Sequence, residues 1–166
     1  MLKSITLRIA LLAAVFFIAM GAAAAAGEEK IQLGALENVV LLPWGVQLPA
    51  RIDTGAATSS LDARNLEVFN NYAHFQLPLQ YGGLRLRLPI VRWATIRSAD
   101  SRTRRPFVEL ELCIGAKRVR TQVNLIDRSG VEYPLLLGRN TLAQGFIIDC
   151  NTTFCTIPSC LEASSP

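Results

Sequence analysis

In the stretch Ala50-Arg51-Ile52-Asp53-Thr54-Gly55-Ala56-Ala57-Thr58-Ser59-Ser60-Leu61, an apolar strand ends directly on an acid, and a hydroxyl residue and a glycine follow it. The acid, Asp53, is a candidate for chemistry, and Gly55 would let the backbone approach a ligand because it has no Cβ. The tripeptide Asp-Thr-Gly also fits an ordinary polar turn, since it is short and its residues are common. Other segments must therefore distinguish a turn from an active site.

The rest of the chain divides into short apolar segments separated by Gly, Pro, Asn and Asp, which is the pattern of an all-β domain. Apolar and charged residues largely alternate in residues 84–88 and 107–112, as expected for strands with one buried face. Tyr81-Gly82-Gly83 and Gly115-Ala116 predict tight reversals. The predicted strands are Glu37–Leu42, Val46–Ile52, Ala73–Leu79, Leu84–Ile96, Phe107–Ile114, Lys117–Leu125, Leu135–Leu137 and Phe146–Asp149, with one helical turn at Arg139–Gln144.

The N-terminus has the features of a secretory signal peptide, because Lys3 and Arg8 precede an apolar run that leads into small residues. A retained membrane anchor is the alternative, but the apolar run is shorter than the roughly 20 residues that a span needs. We expect a signal peptide at residues 1–26 and one domain at residues 27–166. The domain would be periplasmic or secreted, with no membrane association after cleavage.

The charge of the predicted domain is nearly balanced. Removing Lys3 and Arg8 lowers the formal net charge from +4 to +2, which is too weak to indicate a nucleic-acid partner. A local basic cluster favours a solvated loop over a partner site. This cluster consists of Arg97, Arg102, Arg104 and Arg105.

Four cysteines lie after the predicted signal, at Cys113, Cys150, Cys155 and Cys160. An even number in an exported chain predicts two disulfides, for which three connectivities are possible. The cysteine spacing lacks the C-x-x-C pairs of common zinc sites, and the one histidine, His74, has no nearby ligand partner in the sequence. Since a phosphate-binding Gly-x-x-x-x-Gly-Lys-Ser/Thr loop is also absent, we expect neither a metal nor a cofactor.

A second motif follows in Tyr133-Pro134-Leu135-Leu136-Leu137-Gly138-Arg139-Asn140-Thr141-Leu142. It resembles the apolar-apolar-Gly-Arg-Asn segment near the C-terminal end of retroviral aspartic peptidases, and the Asp-Thr-Gly-Ala loop resembles their active-site loop. The chain is more similar still to bacterial retropepsin-like proteins historically labelled ATP-dependent zinc peptidases, through its Arg-Ile-Asp-Thr-Gly-Ala loop, Asp127-Arg128-Ser129, and a Leu-Leu-Gly-Arg strand followed by Asp149. The resemblance covers Leu36 to Cys150. It implies a closed, single-lobed β-barrel with one short C-terminal helix.

The resemblance also implies that Gly55 and Ala56 shape the catalytic loop, and that Thr58 or Ser59 hydrogen-bonds the loop carboxylate. In the second motif, it gives Gly138 and Arg139 structural roles. The relatives pair the arginine with an acid on the catalytic loop. Because the matching position here is Ala57, we expect a buried or half-buried Arg139 with a different partner.

Residues 97–106 occupy the position of the flap, the hairpin that closes over substrate in this family. Arg97 and Ser98 are the candidate substrate contacts. Retroviral flaps are usually rich in glycine, whereas this segment contains none.

Hydrolysis by aspartic peptidases needs two carboxyl groups that share a proton, so that one activates water while the other protonates the substrate carbonyl. The chain contains one Asp-Thr-Gly, at Asp53, while Asp127 and Asp149 are expected in turns or ion pairs. The family resemblance therefore implies a homodimer in which each chain contributes Asp53 and Thr54 reaches across the axis.

We expect an aspartic endopeptidase that acts on peptide or protein substrates. The first alternative is a non-catalytic module that binds a peptide or an envelope partner on the same fold. The second is a zinc hydrolase, although the sequence lacks a His-Glu-x-x-His motif.

Overall fold

The computed structural model describes residues 29–97 and 102–160, so the predicted signal peptide lies outside the described residues. These residues form strands with one short helix, as predicted for an all-β domain. The elements are β1 (Ile31–Leu33), β2 (Leu36–Leu42), β3 (Val46–Ile52), β4 (Ser59–Asp62), β5 (Arg64–Phe69), β6 (Tyr72–Gln76), a 3-10 turn (Leu79–Tyr81), β7 (Arg85–Pro89), β8 (Arg92–Arg97), β9 (Arg102–Ile114), β10 (Lys117–Ile126), β11 (Leu135–Leu137), α1 (Arg139–Leu142) and β12 (Phe146–Ile148).

Six strands close into a barrel in the order β10-β4-β11-β3-β2-β9, and antiparallel pairing of β9 with β10 completes the ring. The closed barrel predicted from the family resemblance is therefore confirmed. β9 is 13 residues long, and its residues 102–107 pair with β8, its residues 107–114 pair with β10, and its residues 111–114 pair with β2 as well. A separate three-stranded sheet contains β5, β6 and β7, and β1 pairs in parallel with β12.

The barrel encloses an apolar core to which every strand of the ring contributes. Burying one leucine side chain stabilises the fold by about 2 kcal/mol relative to leaving it in water. One buried leucine from each ring strand, in chain order, is Leu41, Leu48, Leu61, Leu112, Leu125 and Leu135.

The predicted strand at Leu84–Ile96 is wrong as a single element, because the chain changes sheets in the middle of it. Pro89 ends β7 and has no backbone N–H with which to continue the ladder. Beyond it, Ile90 N donates to Asn71 O, and Val91 N donates to Phe107 O in β9. The alternation of residues 84–88 stops at Pro89, so the proline is the signal in the sequence for the end of this strand.

The C-terminal segment folds back on β2 through a buried carboxylate. Glu37 is fully buried and accepts hydrogen bonds from Gly34 N at 2.7 Å, Cys155 N at 3.0 Å and Thr156 N at 3.1 Å. Its second oxygen also accepts from the Thr156 hydroxyl at 3.0 Å. A buried charge requires such donors, so this contact fixes the path of the segment.

One disulfide joins Cys113 in β9 to Cys160 at the end of this segment. The prediction of a second disulfide is wrong, since Cys150 and Cys155 are free and exposed. The thiol of Cys155 donates instead to the Thr152 hydroxyl at 2.8 Å. Among the described residues, no helix has the length and apolarity needed to cross a bilayer.

Candidate active site

The loop after β3 holds Asp53 at the rim of the barrel. Asp53 N donates to Leu137 O of β11 at 3.0 Å, which fixes the start of the loop. The carboxylate is half-buried, and its Oδ1 accepts from Gly55 N at 2.9 Å and Ala56 N at 3.0 Å. Both bonds orient the carboxyl group through the backbone of its own loop.

Gly55 leaves space beside the Asp53 carboxyl group, which the sequence did not reveal. A Cβ on this residue would lie 3.2 Å from Asp53 Oδ1, closer than an ordinary van der Waals contact. The absence of a side chain therefore leaves the carboxylate in its hydrogen-bonded orientation.

Arg139 binds the backbone of the Asp53 loop. The acid that pairs with this arginine in the retroviral relatives is replaced by Ala57 here, and backbone oxygens take its place. Its Nη1 donates to Thr54 O at 2.9 Å and Gly55 O at 2.8 Å. Its backbone N donates to Ala56 O at 2.9 Å. Arg139 therefore contacts the loop through its backbone, and the predicted burial is wrong, because the residue is exposed.

Gly138 packs directly against the loop. A Cβ here would lie 2.6 Å from Thr58 C and 2.7 Å from Thr58 O, so no other residue fits without moving the backbone. Gly138 N donates to Ser59 Oγ at 3.0 Å, and that oxygen is 2.7 Å from Thr141 Oγ1. The second motif therefore packs against the Asp53 loop and hydrogen-bonds to it.

The hydroxyl groups of Thr58 and Ser59 do not bind the Asp53 carboxylate, contrary to the expectation. Thr58 Oγ1 accepts from Asn124 Nδ2 at 3.4 Å. Ser59 Oγ donates to Asn140 Oδ1 at 3.0 Å and lies within the buried network behind the loop. Both hydroxyl groups therefore bind side chains of neighbouring elements, whereas the N–H groups of Gly55 and Ala56 orient the Asp53 carboxyl group.

A cleft of about 560 Å³ opens beside this loop. Residues 55–58 line one side and residues 95–97 of β8 line another. Ser60, Asn124 and Leu136 complete the lining. The β8–β9 hairpin occupies the predicted flap position, and Arg97 reaches the cleft, whereas Ser98 and the rest of the connection at residues 98–101 lie outside the described residues.

Comparison with known proteins identifies the family of this chain. Residues 32–159 match the RimB-like family, described as "Retropepsin-like aspartic endopeptidase RimB". The chain belongs to this family. The resemblance drawn from the Asp-Thr-Gly loop and the Leu-Leu-Gly-Arg strand is thereby confirmed.

Longer curated relatives of this RimB-like chain carry a different name. It is 27% identical over 138 residues to a "Probable alpha-L-glutamate ligase" of Shewanella pealeana. The match covers 77% of this chain and 30% of the relative. It is 32% identical over 133 residues to a protein of the same name from Parasynechococcus marenigrum, covering 73% and 28%. The chain thus spans less than a third of the length of these relatives.

A solved structure supports the fold of the RimB-like chain. A Legionella pneumophila protein of unknown function (DUF785) superposes with a TM-score of 0.67 at 30% identity. The superposition covers 76% of this chain and 98% of the other.

Two arginines near the cleft were not assigned to the site from the sequence of the RimB-like chain. Arg105 Nη1 donates to Asn124 Oδ1 at 3.1 Å, while its buried Nε has no hydrogen-bond partner. Burial lowers the pKa of Arg105. Arg128 Nη1 donates to Ser60 Oγ at 3.0 Å, and Asn124 and Ser60 both line the cleft. Both arginines lie in sequence features that could have indicated them. Arg105 is part of the basic cluster, and Arg128 is part of the Asp127-Arg128-Ser129 motif.

The remaining acids occupy the structural positions expected of them. The Asp127 carboxylate accepts from Ser129 N at 2.7 Å, and hydrogen bonding by Ser129 lowers the pKa of Asp127. Asp149 Oδ1 accepts from Asn151 N at 3.0 Å in the turn after β12. In the described part of the chain, no three His, Cys, Asp or Glu side chains form a potential metal site.

Proposed function

We propose that the protein is an aspartic endopeptidase whose catalytic pair consists of Asp53 from each of two identical chains. The observation that carries this proposal is that two backbone N–H groups orient the Asp53 carboxyl group in the loop whose next residues, 55–58, line an open cleft. The retropepsin-like family assignment supports the same chemistry.

The proposed reaction requires two carboxyl groups that share one proton. The ionised carboxylate takes a proton from water as the water oxygen attacks the scissile carbonyl carbon. The protonated partner gives its proton to the carbonyl oxygen, and a tetrahedral intermediate forms. Proton transfer to the amide nitrogen then breaks the C–N bond and releases an amine and a carboxylic acid. Among the described residues of one chain, no acidic side chain lines the cleft, and Asp53 is the acid of the loop beside it, so a second copy is the simplest source of the other acid.

The charges around the cleft favour peptides with acidic side chains. Arg97 lines the cleft, and Arg105 and Arg128 bind residues that line it. Arginine binds carboxylates through paired N–H donors. The glutamate ligase name of the longer relatives supports glutamyl peptides as the first substrates to test.

The decisive experiment compares the wild-type protein with Asp53→Asn on glutamate-rich peptides. We expect the substitution to abolish cleavage with little change in melting temperature, because the amide keeps the oxygen that accepts from Gly55 N and Ala56 N. Retained turnover in the purified variant would refute the assignment. A statine-containing inhibitor should block the reaction, and a metal chelator should have no effect.

Substrate preference is measured separately with matched glutamate-rich and glutamine-rich peptides. We expect at least about a tenfold higher kcat/KM for the acidic peptide at low salt, with the difference shrinking as salt screens the arginines. Equal rates for both peptides would contradict the charge preference and leave the peptidase assignment standing.

A peptide-binding module without catalysis is the second candidate, favoured by the absence of glycine in residues 97–106. It predicts that a glutamate-rich peptide binds in calorimetry while mass spectrometry detects no cleavage. Export to the periplasm is also a proposal, supported by the Cys113–Cys160 disulfide. Fractionation of cells that express the full chain tests it.

A further inference from the structure

Arg128 lies in the Asp127-Arg128-Ser129 motif, which takes no part in the proposed proton transfers. Its backbone N donates to Asp62 Oδ1 at 2.9 Å. Its side chain donates twice, from Nε to Tyr133 O at 3.1 Å and from Nη1 to Ser60 Oγ at 3.0 Å. One residue therefore connects β4, the start of the 127–133 loop and the end of the same loop.

The two acceptors of the Arg128 side chain are connected to the cleft in different ways. Ser60 lines the cleft directly. Tyr133 lies two residues before β11, whose Leu137 O accepts from Asp53 N. Arg128 thus contacts both the cleft wall and the segment that leads into the strand supporting the catalytic loop.

The hydrogen bond to Ser60 also determines what that hydroxyl can do. Because Ser60 Oγ accepts from the guanidinium group, its own hydrogen is left to donate elsewhere. No other bond involves this hydroxyl among the described residues, although Ser60 is only 5% exposed. A substrate oxygen in the cleft is the acceptor that this arrangement fits.

The charge of Asp62 is already matched from its other side. Arg64 donates to both carboxylate oxygens, from Nε at 2.7 Å and from Nη2 at 2.8 Å. The side chain of Arg128 is consequently free to serve Ser60 and Tyr133. Burial lowers the pKa of Arg128, and the charge of Asp62 partly opposes this effect.

We propose that Arg128 is a positioning residue, which orients the Ser60 hydroxyl toward bound peptide and closes the 127–133 loop beside the cleft. This inference rests on the proposed function, since it assumes that peptides occupy this cleft. Lysine cannot replace arginine here, because one ammonium group lacks the planar fork that reaches two separated acceptors.

The test measures kcat and KM for Arg128→Lys, Ser60→Ala and the double variant, with Arg120→Gln as the control. Arg120 is exposed and its guanidinium lies 3.6 Å from Glu109, so the control removes an arginine that does not line the cleft. We expect kcat/KM to fall about 10- to 100-fold in Arg128→Lys and several-fold in Ser60→Ala, as for other misplaced binding groups. The double variant should be no worse than Arg128→Lys, because both changes break the same contact.

A purely structural role predicts a lower melting temperature with unchanged kcat and KM per folded molecule, and that result would overturn the inference. If Arg128→Lys does not fold, Ser60→Ala decides alone, and unchanged kinetics in that variant overturn the inference. Binding of a statine peptide provides a readout without turnover. Weaker binding by the Arg128 and Ser60 variants of a protein that never cleaves would refute the peptidase proposal and support the inference.

Discussion

The contact between Arg139 and the Asp53 loop shows how backbone oxygens can replace the acid of an expected ion pair. A carboxylate at position 57 would have satisfied the arginine, but Ala57 cannot. The guanidinium instead binds two backbone oxygens, Thr54 O and Gly55 O, which belong to the loop whatever its side chains are. Sequence comparison detects side-chain partners and misses backbone partners of this kind.

Arg139→Ala should therefore loosen the loop more than it unfolds the barrel. We expect the free energy of unfolding to fall by only about 1–2 kcal/mol, because the Arg139 side chain is exposed to solvent. We expect kcat/KM to fall at least about tenfold. Thermal melting and peptide kinetics measure the two effects. Arg120→Gln is again the control, and an equal effect of both substitutions would contradict a specific role for Arg139.

Strand periodicity located most of the barrel but missed the elements that depend on distant partners. β3 and β11 have the predicted bounds. β3 alternates between buried and less buried residues between Gly45 and Asp53, and β11 is a short apolar run between Pro134 and Gly138. β4 was missed because Ser59 and Ser60 look like a polar loop, although both are buried against neighbouring strands and the second motif. Polar residues that find buried partners therefore escape a pattern based on hydrophobicity.

We predict that the Cys113–Cys160 disulfide stabilises the fold, and the free cysteines provide the control. Cys113 and Cys160 are 47 residues apart, and closing a loop of that length stabilises the fold by up to about 4 kcal/mol. We expect Cys160→Ser to lower the melting temperature strongly under oxidising conditions. Cys150→Ser, the matched control, should change little, because that thiol is free.

Thiol titration of the unfolded, non-reduced protein checks the assignment directly. Two reactive thiols are expected for the chain. Finding none would show that Cys150 and Cys155 are also oxidised, in agreement with the original prediction of two disulfides.

In the proposed mechanism, the assembly of the whole protein determines whether Asp53 can act, because a shared proton needs a second acid. If each active site takes one Asp53 from each of two chains, a variant that dimerises normally should inactivate wild-type partners. In an equal, fully exchanged mixture of wild-type and Asp53→Asn chains, about a quarter of the dimers would contain two acids. Activity per wild-type chain should then fall to about half.

The same mixture distinguishes a shared site from a site within one chain. Further excess of Asp53→Asn should reduce wild-type activity toward zero, whereas an independent active site would keep the same activity per wild-type chain at every ratio. Dilution gives a second measurement, since specific activity should fall as dimers dissociate. An activity that follows wild-type concentration linearly through both series would mean that the second proton-sharing group comes from the same chain as Asp53.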